Sequence, residues 1–289
     1  MTGASGLLGS ELTRLLSQNG HEVTAGYNTH PPSIGQPLRI DLADLNQIEP
    51  TVRKARPDTI IHTAATTDVD LCEKDPALAE IVNGKATGKI AEAGNALQSP
   101  IIYLSTDYVF EGERGNYRED DEPHPVNQYG RTKLLGEQLL KESGAPYLIA
   151  RSSVVYGWAR KFRPNYATWV LSKLEANEPF NVVTDNCASP TLNLNLAEMI
   201  MELVLRRIQG TLHVAGATRI DRYDFAIQIA KTFNLPTDLI KPVKSEPIAW
   251  KAKRPTDSSL NVDKAQAVLD RKPLKLHEAL NRFRMCREK

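Results

Sequence analysis

Tyr129 and Lys133 stand four residues apart in Gln128-Tyr129-Gly130-Arg131-Thr132-Lys133, a spacing that puts both side chains on one face of a helix. A phenol with a pKa near 10 shuttles protons poorly at neutral pH, and bringing it to about 7 takes roughly 4 kcal/mol of preference for the phenolate. A neighbouring ammonium supplies part of that preference. Of the nine tyrosines, only Tyr129 has lysine four residues later. Chance alone gives roughly half such a match in a chain of this composition, so the pair needs partners before it means chemistry. A hydroxyl at the end of a preceding strand is one, and Ile101-Ile102-Tyr103-Leu104-Ser105-Thr106 ends on it. In doubly wound sheets ligands lie beyond the carboxyl ends of the strands, which is where Thr106 falls.

The second partner is a turn. Thr2-Gly3-Ala4-Ser5-Gly6-Leu7-Leu8-Gly9 spaces glycines three apart at the opening of a helix, where a tight bend, a bare backbone and close packing are all required. The amides of Gly3, Ser5, Gly6, Leu7 and Leu8 then form a cradle for a pyrophosphate, and the helix dipole adds to the attraction. A dinucleotide bound there brings an oxidised nicotinamide whose charge adds to that of Lys133 at the phenol. Asp41 and Leu42, in Ile40-Asp41-Leu42, fall at the end of a strand, on the edge of the cleft where the adenine belongs. About twenty residues past the glycines an NAD-binding fold has an acidic side chain for the ribose 2′-hydroxyl. Here the segment reads Tyr27-Asn28-Thr29-His30. With Asn28 where a carboxylate would stand, NADP(H) is favoured over NAD(H), although no arginine is placed for the 2′-phosphate.

These residues need a scaffold that alternates strand and helix. Val23 to Tyr27, Leu38 to Ile40, Thr59 to Thr63, Ile101 to Ser105 and Tyr147 to Arg151 read as strands with helical segments between them, which specifies α/β architecture with a doubly wound parallel sheet. Gly20 ends the first helix and Asp75-Pro76 begins another. After about residue 155 the rhythm loosens into helices near Ala167 to Ala176, Leu194 to Arg206 and Tyr223 to Phe233, with a strand at Gly210 to Val214. Residues 1–155 are read as the dinucleotide-binding domain, to which 180–212 return. Residues 156–179 and 213–289 are read as a smaller, interleaved substrate-binding lobe.

Thirty-six Lys and Arg against 35 Asp and Glu leave a net charge of +1, so no global field recommends nucleic acid or an anionic membrane surface as partner. No apolar run approaches the eighteen or so residues that span a bilayer. Cys72, Cys187 and Cys286 have no metal-like spacing and suit free thiols in a reducing, cytoplasmic setting. The six histidines show no paired ligand spacing either, so no metal is expected.

At this point the chain resembles the dTDP-4-dehydrorhamnose reductases, within the extended short-chain dehydrogenase/reductases, nearly end to end. The resemblance is carried by the glycine turn, Ala64-Ala65 with Asp68-Val69-Asp70 and Glu73, Val82-Asn83, Ser105-Thr106-Asp107-Tyr108-Val109-Phe110, Tyr129 and Lys133 with Glu137, Asp185 leading to Ser189-Pro190-Thr191, and Arg254-Pro255 with Ser258-Ser259-Leu260. It implies a Rossmann-like fold and reduction of the 4-keto group of a nucleotide-activated deoxysugar. Thr106 would bond the keto oxygen, Tyr129 would donate the proton, and Lys133 would hold the nicotinamide ribose. Asp107 and Tyr108 would line the sugar site, with Asn165 and Tyr166 facing it, and Ala64 and Ala65 would pass beneath the cofactor. Arg254 would meet the substrate's nucleotide or diphosphate, since its planar fork suits phosphate; a surface salt bridge is its other reading. A homodimer is compatible with all of this. Where many relatives carry tryptophan, this chain has Val154, in Arg151-Ser152-Ser153-Val154-Val155-Tyr156, so an aromatic wall of the sugar pocket is missing.

Two other readings compete. Sugar-nucleotide dehydratases and epimerases share the cofactor and the tyrosine, but a dehydratase places glutamate after the aspartate to eliminate water, and here Tyr108 follows Asp107. The non-catalytic β subunit of methionine adenosyltransferase also resembles this family, and fold alone does not settle function. An open pocket with Thr106 and Tyr129 converging in it favours the enzyme; a blocked one with an exposed apolar patch favours the binding partner.

The amino terminus departs from the pattern. Only Met1 and Thr2 precede Gly3, where a strand of about five or six residues is expected in the middle of the sheet. Unpaired neighbours there would cost on the order of 1–3 kcal/mol per buried group. The expectation is that further apolar residues precede Thr2 in the working protein, or that another segment or subunit fills the gap.

Overall fold

The alternation resolves into a parallel sheet between helices in a computed structural model, which describes residues 1–158, 164–246 and 248–287. α1 (Leu7–Gln18) is closed by Gly20, whose φ of +83° admits glycine at little cost. β1 (Thr24–Tyr27) pairs in parallel with β2 (Gln36–Arg39). α2 (Leu45–Ala55) starts where the Asp44 carboxylate accepts the Asn46 amide. After β3 (Ile60–His62), α3 (Val69–Lys74) and α4 (Pro76–Ala79) are capped by Asp68 and Asp75. α4 runs through a π-helical turn at Glu80–Lys85 into α5 (Ala86–Leu97). β4 (Ile101–Thr106), α6 (Gln128–Glu142) and β5 (Tyr147–Ser152) follow. The less regular second half contains β6 (Val155–Tyr156), α7 (Tyr166–Glu175), β7 (Phe180–Val183), β8 (Cys187–Ala188), β9 (Thr191–Leu192) and α8 (Asn193–Leu205). It continues with β10 (Gly210–His213), β11 (Ile220–Asp221), α9 (Arg222–Thr232), β12 (Ile240–Val243), α10 (Asp263–Val268) and α11 (Leu276–Met285).

Strands β10, β5, β4 and β3 lie side by side, all parallel. Met1 to Ala4 then stitch β3 to β1. The Thr2 amide donates to the Ile61 carbonyl at 2.9 Å, and the Gly26 amide donates to the Met1 carbonyl at 2.7 Å. The Ala4 amide donates to the Gly26 carbonyl at 3.0 Å. Met1 to Ala4 thus lie between β1 and β3 and supply backbone hydrogen bonds to both. The resulting order, β2, β1, the amino-terminal stretch, β3, β4, β5, β10, places the strand ends in one row.

Successive residues of the central strands are buried on opposite faces, so the runs read as continuously apolar. Ile61, Ile102 and Leu148 meet Leu8 and Leu12 of α1 and Leu196 and Ile200 of α8. Ile60, Ile101 and Ile149 meet Ile48 of α2, Ile90 of α5 and Leu140 of α6. A third core is aromatic: Tyr156, Phe225 and Phe283 are fully buried between α7, α9 and α11, and each contributes roughly 1.5–3 kcal/mol by leaving water. This cluster makes the smaller layer rigid enough to serve as the far wall of a cleft. The segments read as the substrate-binding lobe include residues 159–163, 247, 288 and 289, which lie outside the described residues. Among the described residues no helix is long and apolar enough to cross a membrane.

Candidate active site

Gly3 makes the first bend of the turn at φ +67°, a left-handed conformation that a side chain resists. A Cβ on Gly9 would sit 2.0 Å from the Gly3 carbonyl oxygen, so α1 can lie this close to the turn only with glycine there. Gly6 caps α1 with extended backbone and no side-chain hydrogen bond, leaving the helix start open to the cavity as an anion cradle. The residues present therefore fit a dinucleotide pyrophosphate.

That turn forms one end of a cavity of about 960 Å³. Its walls include Gly3, Ser5, Gly6, Leu7, Leu8, Asn28, Asp41, Leu42, Ala64 and Ala65 on one side and Thr106, Asp107, Tyr108, Tyr129 and Asn165 on the other. Asn28 Nδ2 donates to Asp41 Oδ1 at 3.4 Å, at the mouth of the adenosine end. Two expected residues lie outside this lining. Lys133 is 2% exposed, with its Nζ donating to the Leu104 carbonyl at 2.8 Å over the face of Tyr103. Arg254 pairs with Asp70 at 3.1 Å and stacks on Trp250, the salt-bridge arrangement.

Helix α6 delivers the proton-handling residues. Its start is fixed by Asn127, whose side chain accepts the Gly130 amide at 2.9 Å and donates to the Lys253 carbonyl at 2.9 Å. From there three successive turns clasp three successive residues of β4. Tyr129 faces Thr106, Lys133 donates to the Leu104 carbonyl, and the Ser105 hydroxyl donates to Glu137 at 2.5 Å. Arg151 of β5 closes the stack with a two-pronged pair to Glu137, at 3.0 and 2.7 Å. Both partners are buried, at 2% and 0% exposure, so removing one would strand the other at a cost of about 3–5 kcal/mol.

Burial pushes the Tyr129 phenol well above its ordinary value, against the pull of the Thr106 hydrogen bond. The chain's own surroundings keep the proton on the phenol, which is the form a proton donor must have; the lowering expected from the sequence was that of the complex with an oxidised nicotinamide. Burial also lowers Lys133 to about 7, with Glu137 opposing that shift. The Asp107 carboxyl is raised by burial although three hydroxyls bond it: Thr106 at 3.0 Å, Ser153 at 2.8 Å and Ser258 at 2.5 Å.

The remaining motif residues brace this arrangement. Asn83 accepts the Thr66 amide at 2.8 Å and donates to Thr132 of α6 at 3.2 Å. Glu73 accepts the Gln128 amide at 2.7 Å. Asn165 caps α7 and donates to the Gly157 carbonyl at 2.7 Å, and the Tyr166 hydroxyl donates to the Arg222 carbonyl at 2.6 Å. Val154 lines the cavity at φ +42°, an outlying backbone for a β-branched residue, which costs on the order of 1–3 kcal/mol. It is held there by the Thr191 amide, which donates to its carbonyl at 3.1 Å.

Ser152 and Arg222 are among the lining residues that the sequence reading did not assign to the site. Ser152, on the last residue of β5, has a buried hydroxyl with no hydrogen-bond partner among the described residues; its place at a strand end was the available signal. Arg222 also lines the cavity. It is the first residue of α9, where the helix dipole disfavours a cation, and that misplacement was the only local sign.

Comparison with known families matches residues 1–285 to the RmlD substrate binding domain. The probable low-salt glycan biosynthesis reductase of Haloferax volcanii is 36% identical over 274 residues, 93% of this chain and 91% of that one. Methionine adenosyltransferase 2 subunit beta of Pongo abelii is 32% identical over 275 residues, 93% of this chain and 81% of that one. Among solved structures, the dTDP-4-dehydrorhamnose reductase of Bacillus anthracis in complex with NADP superposes with a TM-score of 0.88 at 31% identity, covering 98% of this chain and 97% of that one.

Proposed function

The chain belongs to the RmlD substrate binding domain family, and from that premise we propose that it is a cytoplasmic NADPH-dependent reductase of the 4-keto group of a nucleotide-activated deoxysugar. The observation that carries this reading is the convergence of Thr106 and Tyr129 on an open cavity whose other end is the glycine turn. When bound, the reduced nicotinamide supplies hydride to the keto carbon. Tyr129 gives its proton to the keto oxygen, and the Thr106 hydroxyl holds that oxygen in place. Lys133, whose Nζ bonds the Leu104 carbonyl beside the cavity, would hold the nicotinamide ribose, as the resemblance implies. Pro164, Asn165 and Arg222, from the segments read as the substrate-binding lobe, would face the sugar nucleotide. Three unbridged cysteines accord with a reducing compartment.

This chain is also similar to a methionine adenosyltransferase 2 subunit beta, and a subunit role is the competing reading. The open cavity and the intact Thr106–Tyr129 contact support catalysis instead. Tyr108, following Asp107, leaves no second carboxylate for eliminating water, which supports net reduction over dehydration.

NADPH is the favoured cofactor. Asn28, Thr29 and His30 line the adenosine end beside Ser5, and no carboxylate stands in the Tyr27–His30 segment to repel a 2′-phosphate. A tenfold preference is about 1.4 kcal/mol, within reach of one or two polar contacts. Cofactor oxidation followed over a panel of 4-keto sugar nucleotides, with NADPH and NADH compared, tests the reading. Oxidation with at least one member, faster with NADPH, is expected; no oxidation with any would overturn the assignment.

A further inference from the structure

Arg222 is the one lysine or arginine among the described residues that line the cavity. It stands on the wall opposite the glycine turn and is held from two sides. Its Nε donates to Asn186 Oδ1 at 3.0 Å, and its guanidinium carbon lies 5.0 Å from the centre of the Tyr166 ring. Its backbone is pinned as well, the Arg222 amide donating to the Asn186 carbonyl at 3.1 Å. With Nε engaged, the guanidinium lies close enough to Tyr108 for its charge to act on that phenol.

A guanidinium in such a place is ordinarily explained by a carboxylate partner. Among the described residues Arg222 forms no ion pair, and the nearby carboxylates are committed elsewhere. Both Asp107 oxygens are taken, Oδ1 by Thr106 and Oδ2 by Ser153 and Ser258. Asp221 caps α9, its Oδ1 accepting the Asp224 amide at 2.8 Å. The contrast with Arg254 is direct, because Arg254 spends its charge on Asp70. One cation is thus neutralised outside the cavity and the other is held in its wall with no ion pair among the described residues.

We propose that Arg222 is the substrate-side anion grip, binding the diphosphate that links sugar to nucleoside, and that Arg254 is instead a brace between the 251–255 segment and α3. The assignment rests on the substrate being a nucleotide sugar, as argued above. A planar fork with free terminal nitrogens suits two phosphate oxygens at once. Its neighbour Tyr108 directly follows the Thr106–Asp107 pair, so gripping the diphosphate there would aim the sugar at Thr106 and Tyr129. The cofactor's own pyrophosphate is left to the backbone turn at the other end, so two diphosphates occupy one cavity without competing for one cation.

The test uses purified full-length chain with NADPH bound, and deoxythymidine diphosphate, uridine diphosphate and thymidine as probes in titration calorimetry. Wild type should bind at least one diphosphate and bind thymidine much more weakly. Arg222→Met should weaken diphosphate binding at least tenfold, leaving thymidine and NADPH affinities within about twofold; Arg222→Lys should recover part of the loss. Arg254→Met should change diphosphate binding less than threefold once its melting temperature shows it folded. Undiminished diphosphate binding by Arg222→Met, the main loss falling on Arg254→Met, or no diphosphate binding by wild type would each overturn the assignment. The keto-sugar panel is read separately on wild type: oxidation there without an Arg222 effect refutes the grip alone, and its absence refutes the reductase reading.

Discussion

At the glycine turn the cavity wall is backbone, drawn from one run of residues between Gly3 and Gly9, and its shape depends on what is missing: a Cβ on Gly9 has no room. At the opposite end the wall is side chains, with Thr106, Tyr129, Val154, Asn165 and Arg222 arriving from five separate segments. The first surface suits a group that every member of a cofactor class shares, because amides and a helix dipole read phosphate without reading identity. The second can be altered one side chain at a time, which is what choosing among sugars requires. The clasp of α6 on β4 gives Thr106 and Tyr129 to the second surface and continues behind it into the core. It fixes the distance between the two surfaces, since Leu104, Ser105 and Thr106 are each tied to a different turn of the helix.

If that division is right, the two ends break independently. The largest effect is expected from Gly9→Ala, because a backbone carbonyl 2.0 Å from the new carbon cannot be relieved by rotating a side chain. A loss of about 1–3 kcal/mol, appearing as NADPH binding weakened roughly tenfold to a hundredfold, is the outcome to seek by fluorescence titration. Unchanged NADPH affinity would show that the turn is not the cofactor's seat. Asp107→Asn should do the converse. It replaces an acceptor that takes three hydroxyls, so the sugar end loosens by about 1–3 kcal/mol. KM for the keto sugar should rise while NADPH affinity stays within about twofold; a parallel loss of both would merge the two ends into one unit.

Lys133 sharpens the comparison, because it lies beneath the cofactor end while belonging to the clasp. Its folded pKa is lowered from 10.5 to about 7 by burial. The folded chain therefore binds fewer protons than the unfolded chain between those values, and stability rises with pH across the window. Lys133→Met removes this penalty. The variant should gain melting temperature over wild type by most below pH 7, with the difference shrinking toward pH 10.5, while NADPH affinity and turnover both fall. Stability loss at every pH with unchanged cofactor binding would make Lys133 structural only.

The parts legible in the sequence are those whose geometry is local. The glycine turn lies within seven residues, Tyr129 and Lys133 are one helical turn apart, and β4 announces itself as an apolar run from Ile101 to Leu104 followed by Ser105 and Thr106. Helix starts at Asp75 and ends at Gly20 follow from single capping residues. What was not legible arises from chain segments meeting at long range. Nothing near Asp107 foretells that Ser153 and Ser258 close around it. Arg254 and Arg222 look alike as letters, and only the fold shows one spent on Asp70 and the other facing the cavity. The expected gap in the sheet is bridged because Met1 and Thr2 use their backbone on both sides, a thing no residue-type pattern encodes. The surroundings of Tyr129 were not legible for a similar reason: burial at the end of β4 raises the phenol, and the lysine bonds the Leu104 carbonyl instead of the phenol.

The central claim is that Tyr129 is the proton donor in a site otherwise complete without its hydroxyl. Tyr129→Phe removes one oxygen and little binding surface, so the decisive measurement is single-turnover NADPH oxidation with a saturating 4-keto sugar nucleotide, alongside the NADPH dissociation constant of the same variant. The account predicts turnover lower by about a hundredfold or more with NADPH affinity within about twofold of wild type. Turnover close to wild type would contradict it.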